Sequence, residues 1–357
     1  MDAPRASAKS LPQTLVDGLA ERAARARVPL YASVELTWRC NFRCVHCYQD
    51  GLRDSHRELS TAEWKGLLDE LADLGSLFLT ITGGEALSRP DFKEIYRHAV
   101  GRGFLVTVFT NGALVDDALL DLWSELPPKS IEITLYGASA ESYERVVGRG
   151  SWYEKSFAAV DQILARGLAL ELKAPLMRPL LEDLPALRAF ALARGLPLRT
   201  EGSIFPRLDG NPAPLAHRLS PAELVEIERT SPGFQERIEI CFAGSAQDLG
   251  DRVYRCGAGS NSLNVNPSGQ LEPCVISRGA VASTRGVGVA SAWAELAPEA
   301  ARTHALPDGE GCGSCGARGG CSRCPGLSWM ETRDVERRVA HHCGVTLQKL
   351  KILGRAA

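Results

Sequence analysis

The chain has 357 residues, 45% of them hydrophobic and 24% charged, which is the composition of a globular protein long enough for two domains and not of a disordered or fibrous chain. Its 41 Lys and Arg against 43 Asp and Glu give a net charge of −2, and with no basic run this disfavours binding to nucleic acid or to anionic lipid. The N-terminus has no signal-peptide pattern and no apolar run approaches the about 18 residues of a membrane span, so we expect a cytoplasmic protein.

Apolar segments with two different periods alternate along the first two thirds of the chain. Residues 11–30 have the spacing of a short amphipathic helix, and Ser60 with Glu63 gives the capping-box pattern at the start of a second helix. Strands are predicted at residues 31–36, 77–82, 105–110, 131–135, 168–175 and 198–204, and helices at 60–74, 91–101, 116–126, 152–166, 181–194 and 221–229. This alternation indicates an α/β fold, a partial (β/α)6 barrel of the TIM type, with its chemistry at the carboxyl ends of the strands.

Three cysteines, Cys40, Cys44 and Cys47, follow the first predicted strand within eight residues. Three thiolates do not complete a four-coordinate structural zinc site, whereas they suit an iron–sulfur cluster that keeps one iron open. The alternatives are a zinc loop completed by His46 or by a distant ligand, and three thiols of the core. Eleven cysteines in a cytoplasmic chain, an odd number, favour thiolates held by metal over disulfides.

Two further motifs lie at the ends of predicted strands. After the second strand, Gly83 and Gly84 allow a backbone to approach a ligand closely, and the Glu85 carboxylate can accept a hydrogen bond from an ammonium group. The alternative for these three residues is an ordinary strand-to-helix turn. Asn111 is followed by glycine, which is a turn signal in its own right, so a ligand role for Asn111 is a second-rank prediction.

Together these motifs resemble those of the radical S-adenosylmethionine (SAM) family. The Cys-x3-Cys-x2-Cys spacing followed by an aromatic residue is that of the family's cluster loop, and the Gly-Gly-Glu sequence is similar to its cradle for the SAM amino group. The resemblance implies a [4Fe–4S] cluster whose open iron binds SAM, homolysis of SAM to a 5′-deoxyadenosyl radical, and abstraction of a hydrogen from a substrate. It also implies that Tyr48 reads the adenine through its backbone and that Thr134 hydrogen-bonds the SAM carboxylate or ribose.

The resemblance leaves open which cation meets the SAM carboxylate. Val147 stands where many relatives carry arginine, so Arg145 and Lys173 are the candidates, although each is expected to be a plain surface charge. His46 lies between two of the cluster cysteines and is expected to point outward as a spectator. No residue is assigned as general acid or base.

The other eight cysteines lie in the last third of the chain, among glycines and short polar turns. Strands are predicted at residues 262–265 and 270–272. A region this small and loop-rich is expected to need bound metal for a stable fold. One or two zinc-ribbon sites are the alternative, because Cys-x2-Cys pairs suit zinc. The eight are Cys241, Cys256, Cys274, Cys312, Cys315, Cys321, Cys324 and Cys343.

The spacing of these cysteines resembles the SPASM extension of radical SAM enzymes, which carries two auxiliary [4Fe–4S] clusters. The two-residue gap between Cys321 and Cys324 departs from the usual three. The resemblance implies that Cys256, Cys274 and Cys324 hold the first auxiliary cluster. The second cluster takes Cys312, Cys315, Cys321 and Cys343. Cys241 is the natural fourth ligand of the first cluster, and its position further upstream than in relatives leaves open an iron that binds substrate.

The resemblance divides the chain into an N-terminal extension (1–30), a radical SAM partial barrel (31–232) and a small, loop-rich iron–sulfur SPASM domain (233–357). Most SPASM relatives modify ribosomal peptides, so the expected function is hydrogen abstraction from a peptide side chain, giving a crosslinked or oxidised peptide. About thirty N-terminal residues are too few for a peptide-recognition domain, so a separate recognition protein or a substrate read without a leader is expected. A flavodoxin or ferredoxin is the expected electron donor.

Two other functions remain open at this stage. Related proteins also tailor porphyrins or other small molecules, and an unfused substrate-binding domain is equally expected there. A non-catalytic iron–sulfur carrier would need the clusters but no SAM pocket, and the Gly-Gly-Glu motif argues against it.

Overall fold

The computed structural model describes residues 12–49, 58–231, 233–243, 256–302, 312, 315–321 and 323–355. Leu11, at the start of the first predicted helix, and Pro232, at the predicted domain boundary, lie outside these residues. Within the described ranges, no helix combines the length and the apolar character needed to cross a bilayer.

A nine-stranded sheet forms the centre of the fold. Its order is β6-β5-β4-β3-β2-β1-β7-β8-β9, with parallel pairing from β6 through β1 to β7 and antiparallel pairing of β8 and β9 at one edge. The strands are β1 (Tyr31–Glu35), β2 (Phe78–Thr82), β3 (Leu105–Thr110), β4 (Ser130–Thr134), β5 (Leu170–Pro175), β6 (Leu198–Glu201), β7 (Ser262–Val265), β8 (Gln270–Glu272) and β9 (Ala282–Ser283).

The helices before residue 244 are α1 (Gln13–Ala26), α2 (Thr61–Asp73), α3 (Phe92–Gly101), α4 (Asp117–Glu125), α5 (Ala140–Val147), α6 (Trp152–Ala165), α7 (Leu184–Leu192), α8 (Pro221–Arg229) and α9 (Phe234–Ala243). Those after it are α10 (Gly288–Arg302), α11 (Pro325–Thr332) and α12 (Ala340–Ile352). The predicted capping box of α2 is present. Ser60 N donates to Glu63 Oε2 at 2.8 Å, and Glu63 N donates to Ser60 Oγ at 3.3 Å.

The predicted α/β partial barrel is confirmed. All six strands predicted between residues 31 and 204 form and pair in parallel, and β3 has the predicted bounds. Strand β7 also has its predicted bounds, but the sequence did not show its partner. It pairs in parallel with β1, with Tyr31 opposite Ser262, so the cysteine-rich part of the chain adds strands to the same sheet.

Two apolar cores support these elements. The larger one packs the sheet against its flanking helices and contains the fully buried side chains of Trp64, Ile81 and Trp123. The smaller one lies between α8, α9 and α12 and includes Ile238 and Leu350. Because parallel strands end at the same edge of a sheet, this architecture brings the ends of β1 to β6 together.

Candidate functional site

The three cysteines after β1 line one cavity of about 250 Å³. Cys40, Cys44 and Cys47 are each partly buried. The same cavity is lined by Gly83, Gly84 and Glu85 and by the ends of three strands at Thr82, Thr110 and Thr134. The sheet therefore gathers at one edge the motifs that the sequence placed at separate strand ends.

The loop that carries these cysteines is fixed to α5. Arg43 N donates to Val147 O at 2.9 Å, and Val45 N donates to Val146 O at 3.0 Å. The buried ring of Phe42 packs edge-on against its aromatic neighbours, Tyr136 and Tyr143. These contacts hold the thiols near the sheet through main-chain groups.

Gly83 and Gly84 bring the turn after β2 directly against the backbone of the cysteine loop. A Cβ on Gly83, whose φ is +146°, would lie 2.7 Å from Thr37 O, and one on Gly84 would lie 2.5 Å from Arg39 O. Gly84 N donates to Thr37 O, and Glu85 N donates to Arg39 O, both at 2.8 Å. These glycines are therefore needed because the turn packs directly against the backbone of the cysteine loop, and this contact fixes the loop in place.

Glu85 is buried at the wall of the cavity. Its Oε1 accepts from Thr110 Oγ1 at 2.8 Å and from Leu87 N at 3.2 Å, while its Oε2 accepts from Asn111 N at 2.7 Å. Burial raises the pKa of this carboxyl to about 7, against the opposing effect of these three hydrogen bonds. The carboxylate thus ties β2 to β3 and places a titratable group beside the thiols.

Asn111, predicted as a second-rank ligand, has both ends of its side chain engaged within the chain. Its Nδ2 donates to Asn41 Oδ1 at 2.8 Å, and its Oδ1 accepts from Ala113 N at 3.0 Å. Asn111 therefore anchors the cysteine loop to the end of β3. Asn41 was not predicted as a site residue, because the sequence carries no signal for it apart from its place next to Cys40.

The expectation that His46 points outward is wrong. Its ring lines the cavity of the cysteines and also a second cavity of about 550 Å³, and it lies 5.6 Å from the ring of Tyr136. Burial, together with the nearby His217, lowers the pKa of His46 to about 4.

Tyr48 and Thr134 also line both cavities, so the two cavities share a wall. The carbonyl oxygen of Tyr48 accepts a hydrogen bond from Leu208 N at 2.9 Å. The backbone predicted to read adenine thus also holds the segment that follows β6. The tyrosine ring packs 5.5 Å from the ring of Phe205 in that segment.

Lys173 lines the second cavity, and the prediction of a plain surface charge is wrong for it. Its side chain is 17% exposed, its Nζ lies 2.7 Å from Glu132 Oε2, and the same nitrogen lies 3.3 Å from the centre of the Phe109 ring. Arg145 is 44% exposed and lies 3.5 Å from Asp183, as a surface charge would. The two candidate cations therefore occupy different environments.

The thiols of the second cysteine set fall into two neighbourhoods. Burial raises the pKa of Cys274 to about 11, and the Cys324 and Cys256 thiols add to the increase. Burial likewise raises the pKa of Cys343, with contributions from Cys321 and Cys312. These contributions place Cys256, Cys274 and Cys324 in one neighbourhood, and Cys312, Cys321 and Cys343 in another.

Cys241, Cys256 and Cys315 are exposed. Helix α9, which carries Cys241, packs against the turn Arg318–Gly320, where a Cβ on Gly320 would lie 2.3 Å from the Phe242 ring. In the part of the chain that the structure describes, no three His, Cys, Asp or Glu side chains are grouped to hold a single metal ion. The thiolates of a [4Fe–4S] cluster bind four different irons, so they do not need to converge on one point.

The comparisons with known proteins agree with this geometry. The Radical SAM superfamily matches residues 34–180. The PqqA peptide cyclase of Ruegeria pomeroyi is 31% identical over 254 residues, which cover 69% of this chain and 67% of that protein. The chain belongs to the radical SAM superfamily. It is an enzyme of this superfamily, as predicted, and SAM and a [4Fe–4S] cluster are its cofactors.

Two further proteins are similar over different lengths. The AdoMet-dependent heme synthase of Methanosarcina barkeri is 29% identical over 174 residues, which cover 48% of this chain and 49% of that protein. Streptococcus suis SuiB bound to its precursor peptide SuiA shares the fold, with a TM-score of 0.66 and 14% identity, over 94% of this chain and 82% of SuiB.

The residues present fit the radical SAM cofactors. Three thiols line one cavity, which leaves one iron of a cubane without a protein ligand. Glu85 adds a buried carboxylate to that wall, and Thr134 lines the same cavity. Cys40, Cys44 and Cys47 would hold the cluster, and the carboxylate would meet the SAM ammonium group.

Proposed function

We propose that this radical SAM protein is a SPASM-type enzyme that abstracts a hydrogen atom from a peptide side chain and gives a crosslinked or oxidised peptide. The observation that carries the proposal is the shared wall of the two cavities, formed by His46, Tyr48 and Thr134. A substrate side chain in the larger cavity would lie next to the group that binds at the three thiols. The named relatives support a peptide as substrate, since one is a PqqA peptide cyclase and SuiB was solved with a precursor peptide.

With the cluster bound, SAM supplies a 5′-deoxyadenosyl radical when it receives one electron and releases methionine. The residues of the chain would bind SAM and orient it. Glu85 would accept a hydrogen bond from the SAM ammonium group, and Thr134 would hydrogen-bond the SAM carboxylate or ribose. Lys173 is the better candidate for the SAM carboxylate, because its ammonium covers Phe109, which lines the SAM cavity, whereas Arg145 is bound to Asp183 on a half-exposed face.

We also infer two auxiliary [4Fe–4S] clusters in the SPASM region. The neighbourhood of Cys256, Cys274 and Cys324 supports the first. The neighbourhood of Cys312, Cys321 and Cys343 supports the second, for which Cys315 is the fourth ligand. Their role is to accept the electron that is left when the substrate radical forms its new bond.

The remaining parts of the proposal concern boundaries and partners. The radical SAM barrel spans residues 31–232 and the SPASM domain residues 233–357. A flavodoxin or ferredoxin supplies the electron, and a separate protein recognises the peptide. The many thiols favour the reducing cytoplasm over an oxidising compartment.

The test is production of 5′-deoxyadenosine by the anaerobically reconstituted protein with SAM and dithionite. We expect turnover in the native protein and none in Cys44→Ala, because that thiol holds the cluster. Equal amounts from both would contradict the enzyme assignment. A deuterated peptide encoded beside the gene then identifies the substrate, since its deuterium must appear in 5′-deoxyadenosine.

Tailoring of a porphyrin is the second candidate, because one relative is named a heme synthase. The deuterium experiment separates the two functions. Transfer from a deuterated porphyrin and none from the peptide would replace the peptide proposal with this alternative.

A further inference from the structure

Three charged side chains are buried together where the cysteine loop meets the C-terminal strands. Glu35 ends β1 and is fully buried, Glu272 ends β8, and the Arg278 side chain is 9% exposed. The guanidinium lies between the two carboxylates. Arg278 Nη2 donates to Glu35 Oε2 at 2.7 Å, and Nη1 donates to Glu272 Oε1 at 3.1 Å.

Buried amides complete the hydrogen bonding of both carboxylates. Asn264 Nδ2 donates to Glu35 Oε2 at 3.1 Å and to Glu272 Oε2 at 3.0 Å, and Asn266 Nδ2 donates to Glu272 Oε1 at 2.9 Å. Gln49, two residues after Cys47, donates through Nε2 to Glu35 Oε1. With both carboxylates ionised, two negative charges and one positive charge are held away from water.

This network adjoins the first auxiliary thiols. Ser277 N donates to Cys274 O at 3.0 Å, and Arg278 Nε donates to Val275 O at 3.1 Å, so the turn after Cys274 folds Arg278 back beside it. Glu272 precedes Cys274 by two residues. The guanidinium also lies 5.4 Å from the ring of Trp38, at the entry of the first cysteine loop.

Holding β7 and β8 beside β1 does not by itself require these charges. A buried ion pair contributes little net stability compared with apolar side chains of similar size, because removing charges from water offsets their attraction. An arginine that compensates two carboxylates next to a cluster has a second effect. One-electron reduction adds a negative charge to a cluster, and in a low-dielectric interior nearby charges shift the reduction potential strongly.

We propose that Arg278 is a positioning residue that raises the reduction potential of the first auxiliary cluster by offsetting the buried carboxylates of Glu35 and Glu272. This inference rests on the proposed cluster of Cys256, Cys274 and Cys324. Through Glu35, the same arginine also links the loop of Gln49 to the turn after Cys274.

The test is an anaerobic potentiometric titration followed by electron paramagnetic resonance. It uses a Cys40→Ala/Cys44→Ala/Cys47→Ala background, which leaves only the auxiliary clusters. The titration is carried out at about pH 8.5, well above the ordinary pKa of a carboxyl group. We expect Glu272→Gln to raise the midpoint potential of one cluster and Arg278→Met to lower it, because one removes a negative and the other a positive charge.

Three controls are built into the design. Arg278→Lys keeps the charge and should stay near the native potential. Arg97→Met removes an exposed arginine that lies 3.1 Å from Glu125 on outer helices, and it should move neither cluster. The second auxiliary cluster is the internal reference and should not shift in any variant.

Unchanged potentials in both Glu272→Gln and Arg278→Met, or shifts of the same sign, would overturn the proposal. If Arg278→Met does not fold, the upward shift in Glu272→Gln decides, since that change keeps the shape of the side chain. Iron analysis distinguishes a protein that lacks the first auxiliary cluster from one that has the cluster but whose potential does not depend on Arg278. The background should hold about eight irons per chain, four in each auxiliary cluster. A value near four, with Cys256→Ala causing no further loss, would reject the first auxiliary cluster and this role of Arg278 together.

Discussion

The first cysteine loop and the segments that carry the other eight cysteines differ in what holds them. The first loop follows a central strand, and main-chain hydrogen bonds fix it to the turn of Gly83 and Gly84 and to the end of α5. In the second set, Cys241 lies in α9 and Cys343 in α12, whereas Cys312, Cys315 and Cys321 lie outside helices and strands, where side chains make several of the contacts. Arg323 Nη1, for example, donates to Cys312 Sγ at 2.6 Å.

The difference indicates how each site depends on its metal. The sheet pre-forms the first loop, so its shape should survive loss of the cluster. The turns around Cys312 and Cys321 contribute little to either apolar core, so their order should depend on metal binding.

The largest effect is expected for Gly84→Ala. Its Cβ would lie 2.5 Å from Arg39 O and must displace the cysteine loop, so turnover of SAM should fall at least about a hundredfold, as small misplacements in active sites do. The control is Gly66→Ala in α2, where a Cβ meets nothing within 4 Å. That variant should keep full activity and gain roughly 0.5–1 kcal/mol in unfolding free energy.

Removal of iron should affect the two regions unequally. We expect hydrogen exchange in peptides covering residues 315–321 to speed up at least about tenfold in the apoprotein, because metal binding supplies much of the folding free energy of such turns. Peptides covering β2 and β3 should exchange at nearly the holoprotein rate. Equal loss of protection in both regions would show that the sheet does not pre-form the first loop.

Binding of SAM should strengthen as the pH rises through about 7. Burial raises the pKa of Glu85 from 4.5 to about 7, so the carboxyl is mostly protonated at low pH and cannot accept from the SAM ammonium. Calorimetry should show a dissociation constant about tenfold lower near pH 8 than near pH 6. Glu85→Gln should bind more weakly and without this pH dependence.

The raised pKa of Glu85 also makes the free energy of unfolding depend on pH. Between pH 4.5 and about 7 the folded apoprotein keeps a proton on Glu85 that the unfolded chain has lost. Its unfolding free energy should therefore fall as the pH rises through this window, and the fall should be smaller in Glu85→Gln.

The smallest effect is expected for Cys241→Ala. Its thiol is not among those that raise the pKa of Cys274 or Cys324, whereas the thiol of Cys256 raises both. The variant should lose less than about one iron per chain, whereas Cys256→Ala should lose about four. Equal losses would make Cys241 the fourth ligand of the first auxiliary cluster.

The sequence by itself determined the features that depend on neighbours along the chain. The capping box of α2 and the bounds of β3 follow from side-chain type and period, because caps and pleats involve residues only a few positions apart. The spacing of Cys40, Cys44 and Cys47 indicated the family for the same reason. A short loop brings its own thiols together whatever surrounds it.

Only the tertiary structure decided which distant residues meet. The pairing of β1 with β7 joins Tyr31 to Ser262, and the ion pair of Glu35 with Arg278 follows from it. The local sequence pattern carries no signal for such contacts, because a buried strand or a charged residue has the same local pattern whichever distant element packs against it. The inward positions of His46 and Lys173 were likewise not predictable from local pattern. The barrel encloses these side chains, whereas the sequence shows only that they are polar.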